Sequence, residues 1–283
     1  MSDYPDSVRT LVKSALAEDI GSGDITTESL IGLDKVGRAQ VVAKESCVVC
    51  GLEVASLVYT NLDPEVKFVV LAQEGDLVAK GTVIANLTGP LASILTGERT
   101  ALNFLQRLCG IATGARRFAD IAAGRTTILD SRKTIPGWRW LDKMAVRTGG
   151  CRNHRMGLYD QVLIKDNHIA SVGSISEAVR MAREGTPPDM MIEVEVENIE
   201  DLKKAVEAGA DLVMLDNFSP ESVDKAVTMA RGRVKLEVSG GIDEGNLADY
   251  VCSGNVDYIS IGAITHSVKA IDISMDVVAD DND

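Results

Sequence analysis

In SVRTLVKSALAE, residues 7–18, Val8, Leu11, Val12, Ala15 and Leu16 recur at helical spacing, which predicts a helix ending at the polar stretch GSGDITTE. From 36 to 89 the rhythm changes to short β-type runs (RAQVVAKE, CVVCGL, VKFVVLAQEGDLV, TVIANL) separated by Gly and charged turns, which predicts a small antiparallel element. EGDLVAKGTVIANL has the look of a biotinyl-type barrel hairpin. Lys80 lacks the flanking methionines of a carrier lysine, however, so the stretch reads as scaffold. Residues 91–123, LASILTGERTALNFLQRLCGIATGARRFADIAA, read as helix with one or more breaks.

After residue 123 strand-like and helix-like runs alternate. TTILD, VLIKD, MIEVEV, LVMLD, KLEVS and YISIG are spaced by segments such as EAVRMAREG and EDLKKAVEAG, the signature of a parallel βα domain. At or next to the C-terminal ends of these runs stand Asp130, Lys165, Glu195, Asp216, Ser239 and Gly262. In a β/α barrel these positions converge at the C-terminal mouth of the strands. No G-x-G-x-x-G follows the first strand, so an open barrel is preferred to a dinucleotide-binding sheet. Period-two alternation in IEVEVEN places Glu193, Glu195 and Glu197 on the lumen face, and in KLEVSGG it places Lys235, Glu237 and Ser239 together. Glu193 and Lys235 are therefore expected to pair deeper in the barrel as a structural contact.

Composition narrows the function. A formal charge of −13 and a pI near 4.8 argue against a nucleic-acid partner. The N-terminus is polar and no run approaches the roughly 18 apolar residues of a membrane span, so a cytoplasmic protein is expected. Five cysteines form no secretory framework. Cys47 and Cys50 make a lone C-x-x-C, whose spacing in a strand points them to opposite faces and argues against metal or redox use. The acidic tail DDND is expected to fray.

Against this background, residues 131–165 carry eight cations and two carboxylates. Arg139, Lys143 and Arg147 repeat at helical spacing and read as a solvated face. Arg132, Lys133 and Lys165 sit instead at or just after strand ends, where a polyanion with carboxylate or phosphate groups would bind. Glu195 and Asp216 suit ribose hydroxyls or Mg²⁺, and the SGGI turn at 239–242 suits phosphate.

GERTALNFLQRLCGIAT, LDSRKTIPGWRWLDKMAVRTGG, NHRMGLYDQVLIKDNHI, EVEVEN, LDNFSPE and LEVSGGI, in this order, resemble the quinolinate phosphoribosyltransferase family over nearly the whole chain. The resemblance implies an N-terminal α/β sandwich, residues 1–110 joined by 267–283, and an open, incomplete β/α barrel over 111–266. It implies a homodimer with a shared active site and a reaction joining quinolinate to phosphoribosyl pyrophosphate with Mg²⁺, releasing pyrophosphate and CO₂. Carried over by motif, Arg99 from the neighbouring subunit, Arg132, His154, Arg155 and Lys165 would hold quinolinate. Lys133, Glu195, Asp216, Ser239, Gly241 and Gly262 would face the phosphoribosyl pyrophosphate, with Lys133, Glu195 and Asp216 catalytic and the two carboxylates near the metal, largely through substrate and water. Ser131, where the family more often has threonine, and the tryptophans Trp138 and Trp140 depart from the pattern and bear on pocket dimensions. Alternatives are a nicotinate-specific or molybdenum-associated homologue, a Schiff-base aldolase using Lys165 or Lys133, and a non-catalytic sensor. For His168 a helix-capping role is expected, and His266 is expected near phosphate.

Overall fold

The computed structural model describes residues 4–32, 34–253 and 256–279. The DDND tail lies outside the described residues. The chain divides into two compact units, Met1–Arg116 with Ile135–Gly150 and Val268–Asp283, and Arg117–Thr134 with Cys151–Ser267.

The first unit is built on a four-stranded antiparallel sheet, ordered Ile273–Val278, Val36–Ala43, Val83–Pro90, Lys67–Val70. Alternation turns Ala39, Val41 and Ala43 inward. Met275 lies opposite Val41, so the last strand of the chain completes a sheet begun near its start. The helix Asp6–Ile20 buries Val8, Val12 and Leu16. Leu91–Ala122 is a single continuous helix, without the expected breaks. Its Gly97 is a packing notch: a Cβ there would lie 2.7 Å from the Tyr59 ring.

Residues 135–150, expected within the barrel segment, group with the first unit. The helix Arg139–Thr148 is tied there by Arg107, which donates to both carboxylate oxygens of Asp142 at 3.0 and 2.8 Å, and Trp138 stacks on Phe104. This overturns part of the solvated-face reading: Lys143 is buried, and of the three cations only Arg147 is exposed. Cys47 and Cys50 are likewise both buried, because the strand Cys47–Val48 stops before alternation can separate them. Cys50 N–H instead reaches Cys109 Sγ at 3.3 Å.

The second unit contains all six expected strands in one parallel sheet, ordered Thr127–Leu129, Tyr258–Ser260, Lys235–Ser239, Leu212–Asp216, Ile192–Val196, Val162–Ile164. The two edge strands do not pair among the described residues, so the barrel is open. Ile192, Val194 and Val196 bury one face of their strand while Glu193 and Glu195 occupy the other. Three of the intervening helices begin at side-chain caps. Ser174 accepts from Glu177 N–H, Asn198 from Asp201 N–H and Ser219 from Ser222 N–H, which satisfies donors that a helix start leaves open.

Candidate active site

The C-terminal ends of these strands surround a cavity of about 340 Å³ lined wholly by the second unit. Of the residues expected there, it brings together Arg132, Lys133, His154, Arg155, Lys165, Glu195, Asp216, Ser239 and Gly262. Gly241 is not among the lining residues. Arg99 belongs to the first unit, its side chain 58% exposed and 3.9 Å from Glu98.

One wall is cationic, and its shape follows from Asp130. This fully buried carboxylate accepts Asn153 Nδ2 at 2.7 Å and the His154 N–H at 2.8 Å. Beside it, the backbone of Arg152 bridges in parallel to Leu129. The loop bearing Arg155 is thereby fixed to the strand end that leads into Arg132 and Lys133. Arg155 donates Nη1 to the Gln161 carbonyl at 3.0 Å. Burial, then the neighbouring Arg132 charge, hold the Arg155 guanidinium below its ordinary range. A cation crowded in this way favours an anionic ligand beside it.

The opposite wall is acidic. Glu195 and Asp216 end adjacent strands, and Lys165 Nζ pairs with Glu195 Oε2. Burial and then the Glu195 charge raise the Asp216 carboxyl, while Lys165 and Lys133 oppose that rise. Asn217 adopts a left-handed backbone at φ 56° and donates Nδ2 to Asp216 Oδ2 at 2.8 Å. Lys133 is placed by contacts on both sides: its N–H meets Ser131 Oγ and its carbonyl accepts from Thr265 Oγ1.

The floor departs from expectation. Glu193 does not pair with Lys235, whose Nζ reaches the Tyr258 hydroxyl at 3.2 Å from the exposed start of its strand. Glu193 instead meets His154 and Gln161. Gln161 and Glu237 escaped the site expectation, and Asp130 was expected at the mouth without a stated role, because their partners come from other segments. Only the luminal phase of Glu237 and the strand-end position of Asp130 hinted at a role. Leu163 and Met214 add apolar wall. His168 caps the helix Asp166–Val172, its Nδ1 accepting the Lys165 N–H at 2.9 Å. His266 is exposed, with Nδ1 2.7 Å from Ser267 Oγ.

Comparison with known proteins extends this geometry. Residues 24–109 match the family model of the quinolinate phosphoribosyl transferase N-terminal domain, and residues 111–276 that of the C-terminal domain. The chain is 44% identical to a probable nicotinate-nucleotide pyrophosphorylase (carboxylating) of Bacillus subtilis, across 95% of this chain and 93% of the relative. It is 41% identical to the similarly named protein of Methanocaldococcus jannaschii, across 95% and 96%. The solved nicotinate-nucleotide pyrophosphorylase of Francisella tularensis superposes with a TM-score of 0.93 at 44% identity, covering 98% of each chain.

Proposed function

The chain belongs to the quinolinate phosphoribosyl transferase family, and from that premise we propose that it joins quinolinate to phosphoribosyl pyrophosphate, forming nicotinate mononucleotide, pyrophosphate and CO₂ in NAD synthesis. The observation that carries this reading is the single cavity in which Arg132 and Arg155 share the lining with Lys165, Glu195 and Asp216. A diacid fits the first group and a cationic sugar transition state fits the second.

In this mechanism the arginines and Lys165 hold the two carboxylates and aim the pyridine nitrogen at the anomeric carbon. As the carbon–oxygen bond to pyrophosphate breaks, its electron pair leaves with the phosphate oxygen and positive charge spreads over the ribose. Glu195 and Asp216 stabilise that charge, and the nitrogen lone pair forms the new bond. Lys133 faces the departing pyrophosphate. The ring is then a pyridinium. It accepts the electron pair released when the carboxylate beside the nitrogen departs as CO₂, and a proton from solvent completes the product. No covalent enzyme intermediate is needed.

A hard cation fits the acidic wall, because Glu195 and Asp216 offer oxygen donors, and burial together with the Glu195 charge raises Asp216. These two residues would hold Mg²⁺, which when bound supplies charge neutralisation to the leaving pyrophosphate. Within the same proposal, Arg99 serves the site of a neighbouring subunit in a homodimer working in the cytoplasm. Ser239, Gly241 and Gly262 attend the phosphoribosyl group. No helix among the described residues is long and apolar enough to cross a membrane.

Quinolinate-dependent release of CO₂ with phosphoribosyl pyrophosphate, and none with nicotinate, is the expected result. Equal turnover of nicotinate, or no turnover of either, would overturn the assignment. An aldolase reading is disfavoured because Lys165 pairs with Glu195 and Lys133 is exposed, whereas a Schiff-base lysine needs a desolvated or cation-crowded setting.

A further inference from the structure

Beneath the cavity three ionisable side chains meet almost out of reach of water. Glu193 and Glu237 are fully buried, and the His154 side chain is 7% exposed. His154 Nε2 lies 3.1 Å from Glu193 Oε2 and 3.6 Å from Glu237 Oε2. One ligand atom from each residue falls within 4.8 Å of the others, a spacing that would also suit a metal ion.

The surrounding donors point elsewhere. His154 Nδ1 accepts the Arg155 N–H at 2.7 Å, so the ring proton belongs on Nε2, facing the carboxylates. Glu193 Oε2 also accepts Gln161 Nε2 at 2.7 Å. Glu193 Oε2 thus accepts one hydrogen bond, from the Gln161 amide, and has His154 Nε2 3.1 Å away, a setting that favours an anion. Glu237 differs. Among the described residues no donor closes a hydrogen bond to either of its oxygens, and its polar neighbours are Glu193, His154 and the Ser260 hydroxyl. Two bare carboxylates buried within 4.8 Å of each other would repel strongly, and one proton between them removes the repulsion while satisfying an oxygen. Burial first, then the charge of Glu193, push Glu237 up to about 8, while the neighbouring His154 and the Ser260 hydroxyl oppose that rise.

We propose that Glu237 is a positioning residue held as a neutral acid: it donates its proton to Glu193, leaving Glu193 as the single anion that fixes the Nε2–H tautomer of His154 and, through it, the placement of Arg155. The chain of contacts closes on itself, because Arg155 Nη1 rests on the Gln161 carbonyl while the Gln161 amide rests on Glu193. The inference deepens the proposed function, on which its kinetic readout rests, by naming what holds the diacid-binding arginine from below.

Isosteric amides at the two positions separate the roles. Glu237→Gln supplies a permanent donor to Glu193 and should keep KM for quinolinate within about twofold of wild type. Glu193→Gln removes the anion and should raise that KM about tenfold or more, the scale of a hydrogen bond to a charged group, with KM for phosphoribosyl pyrophosphate moved less. The reverse asymmetry would overturn the proposal. Equal damage from both variants, with one equivalent of divalent metal retained by wild-type protein through dialysis, would overturn it in favour of a metal centre.

A third readout needs no variant. The ¹⁵N shifts of His154 in the wild-type protein should report the neutral Nε2–H ring at neutral pH, and an imidazolium or Nδ1–H ring would sink the idea. If wild type shows no turnover, the enzymatic reading fails while the ring tautomer and the affinity of the two variants for phthalate still decide this one.

Discussion

Replacing Asp130 by Asn tests how the cationic wall is assembled. The carboxylate is fully buried and accepts from Asn153 Nδ2 at 2.7 Å and the His154 backbone N–H at 2.8 Å, among its contacts. An Asn keeps one acceptor and turns an NH₂ group toward the other donor. Losing a hydrogen bond to a charged acceptor costs about 1.5–3 kcal/mol, and facing a buried donor with another adds about 1–3 kcal/mol. Relief of the carboxylate's own desolvation offsets part of this, leaving roughly 3 kcal/mol. The backbone ladder should survive, since Asp130 N–H still meets the Arg152 carbonyl and Arg152 N–H the Ile128 carbonyl. The loss therefore concentrates on residues 153–155. Urea unfolding followed by circular dichroism should show the midpoint lowered, and calorimetric titration with phthalate should show about tenfold weaker binding as Arg155 loses its anchorage. Pyrophosphate binding should change little. A variant with the wild-type urea midpoint and unchanged phthalate affinity would refute the argument that Asp130 ties the two arginine-bearing segments together.

Arg132→Ala should raise KM for quinolinate by about tenfold or more, and steady-state kinetics at wild-type values would remove Arg132 from the diacid subsite. Gly240→Ala should act on the other substrate: at φ 99° an added Cβ would lie 2.7 Å from Asn217 Cγ and 2.9 Å from its nitrogen. Displacing Asn217 disturbs Asp216, so KM for phosphoribosyl pyrophosphate should rise while that for quinolinate stays nearly constant, with a stability cost of about 1–3 kcal/mol. Stability should also fall as pH rises. Glu237 is raised from 4.5 to about 8 on folding, so its favourable contribution is full below 4.5 and drains away up to about 8. Asp142 and Glu74 are raised too, chiefly by burial, and drift in the same direction. Urea midpoints across that range should therefore fall less steeply in Glu237→Gln than in wild type, and parallel curves would count against a protonated Glu237.

The strands were legible because alternation and apolar runs are local properties. TTILD, VLIKD, MIEVEV, LVMLD, KLEVS and YISIG each became a strand of one sheet, and residues at or next to their C-terminal ends became the rim of one cavity. Charge partners were not legible. Period-two phase correctly sent Glu193 inward, but the lumen side of a barrel is shared by every strand, so phase cannot say which residue arrives opposite. Lys235 had the right phase and the wrong depth, standing exposed where its strand begins. Lys143 failed for the complementary reason. Spacing identifies a helical face, while burial depends on what packs there, and Arg139–Thr148 sits in the first unit with Asp142 held by Arg107. The glycines of the long helix illustrate the same limit, since Gly97 serves close approach to Tyr59 and reads in sequence as a break.

The distribution of charge in the cavity bears on why two carboxylates would be selected over one. Lys165 is already matched by Glu195, and Asp216 is opposed by Lys165 and Lys133. Arg132 and Arg155 crowd each other across the first wall, and burial rather than a carboxylate dominates the Arg155 environment. A ligand with a single carboxylate can meet only part of this cationic wall, whereas a diacid can meet the arginines and still reach Lys165. The site pays its electrostatic cost during folding, in the Asp130 and Glu193 contacts that hold the cations at fixed positions. Discrimination then comes from the unmatched charge left by the wrong ligand, which a preorganised pocket cannot relax away.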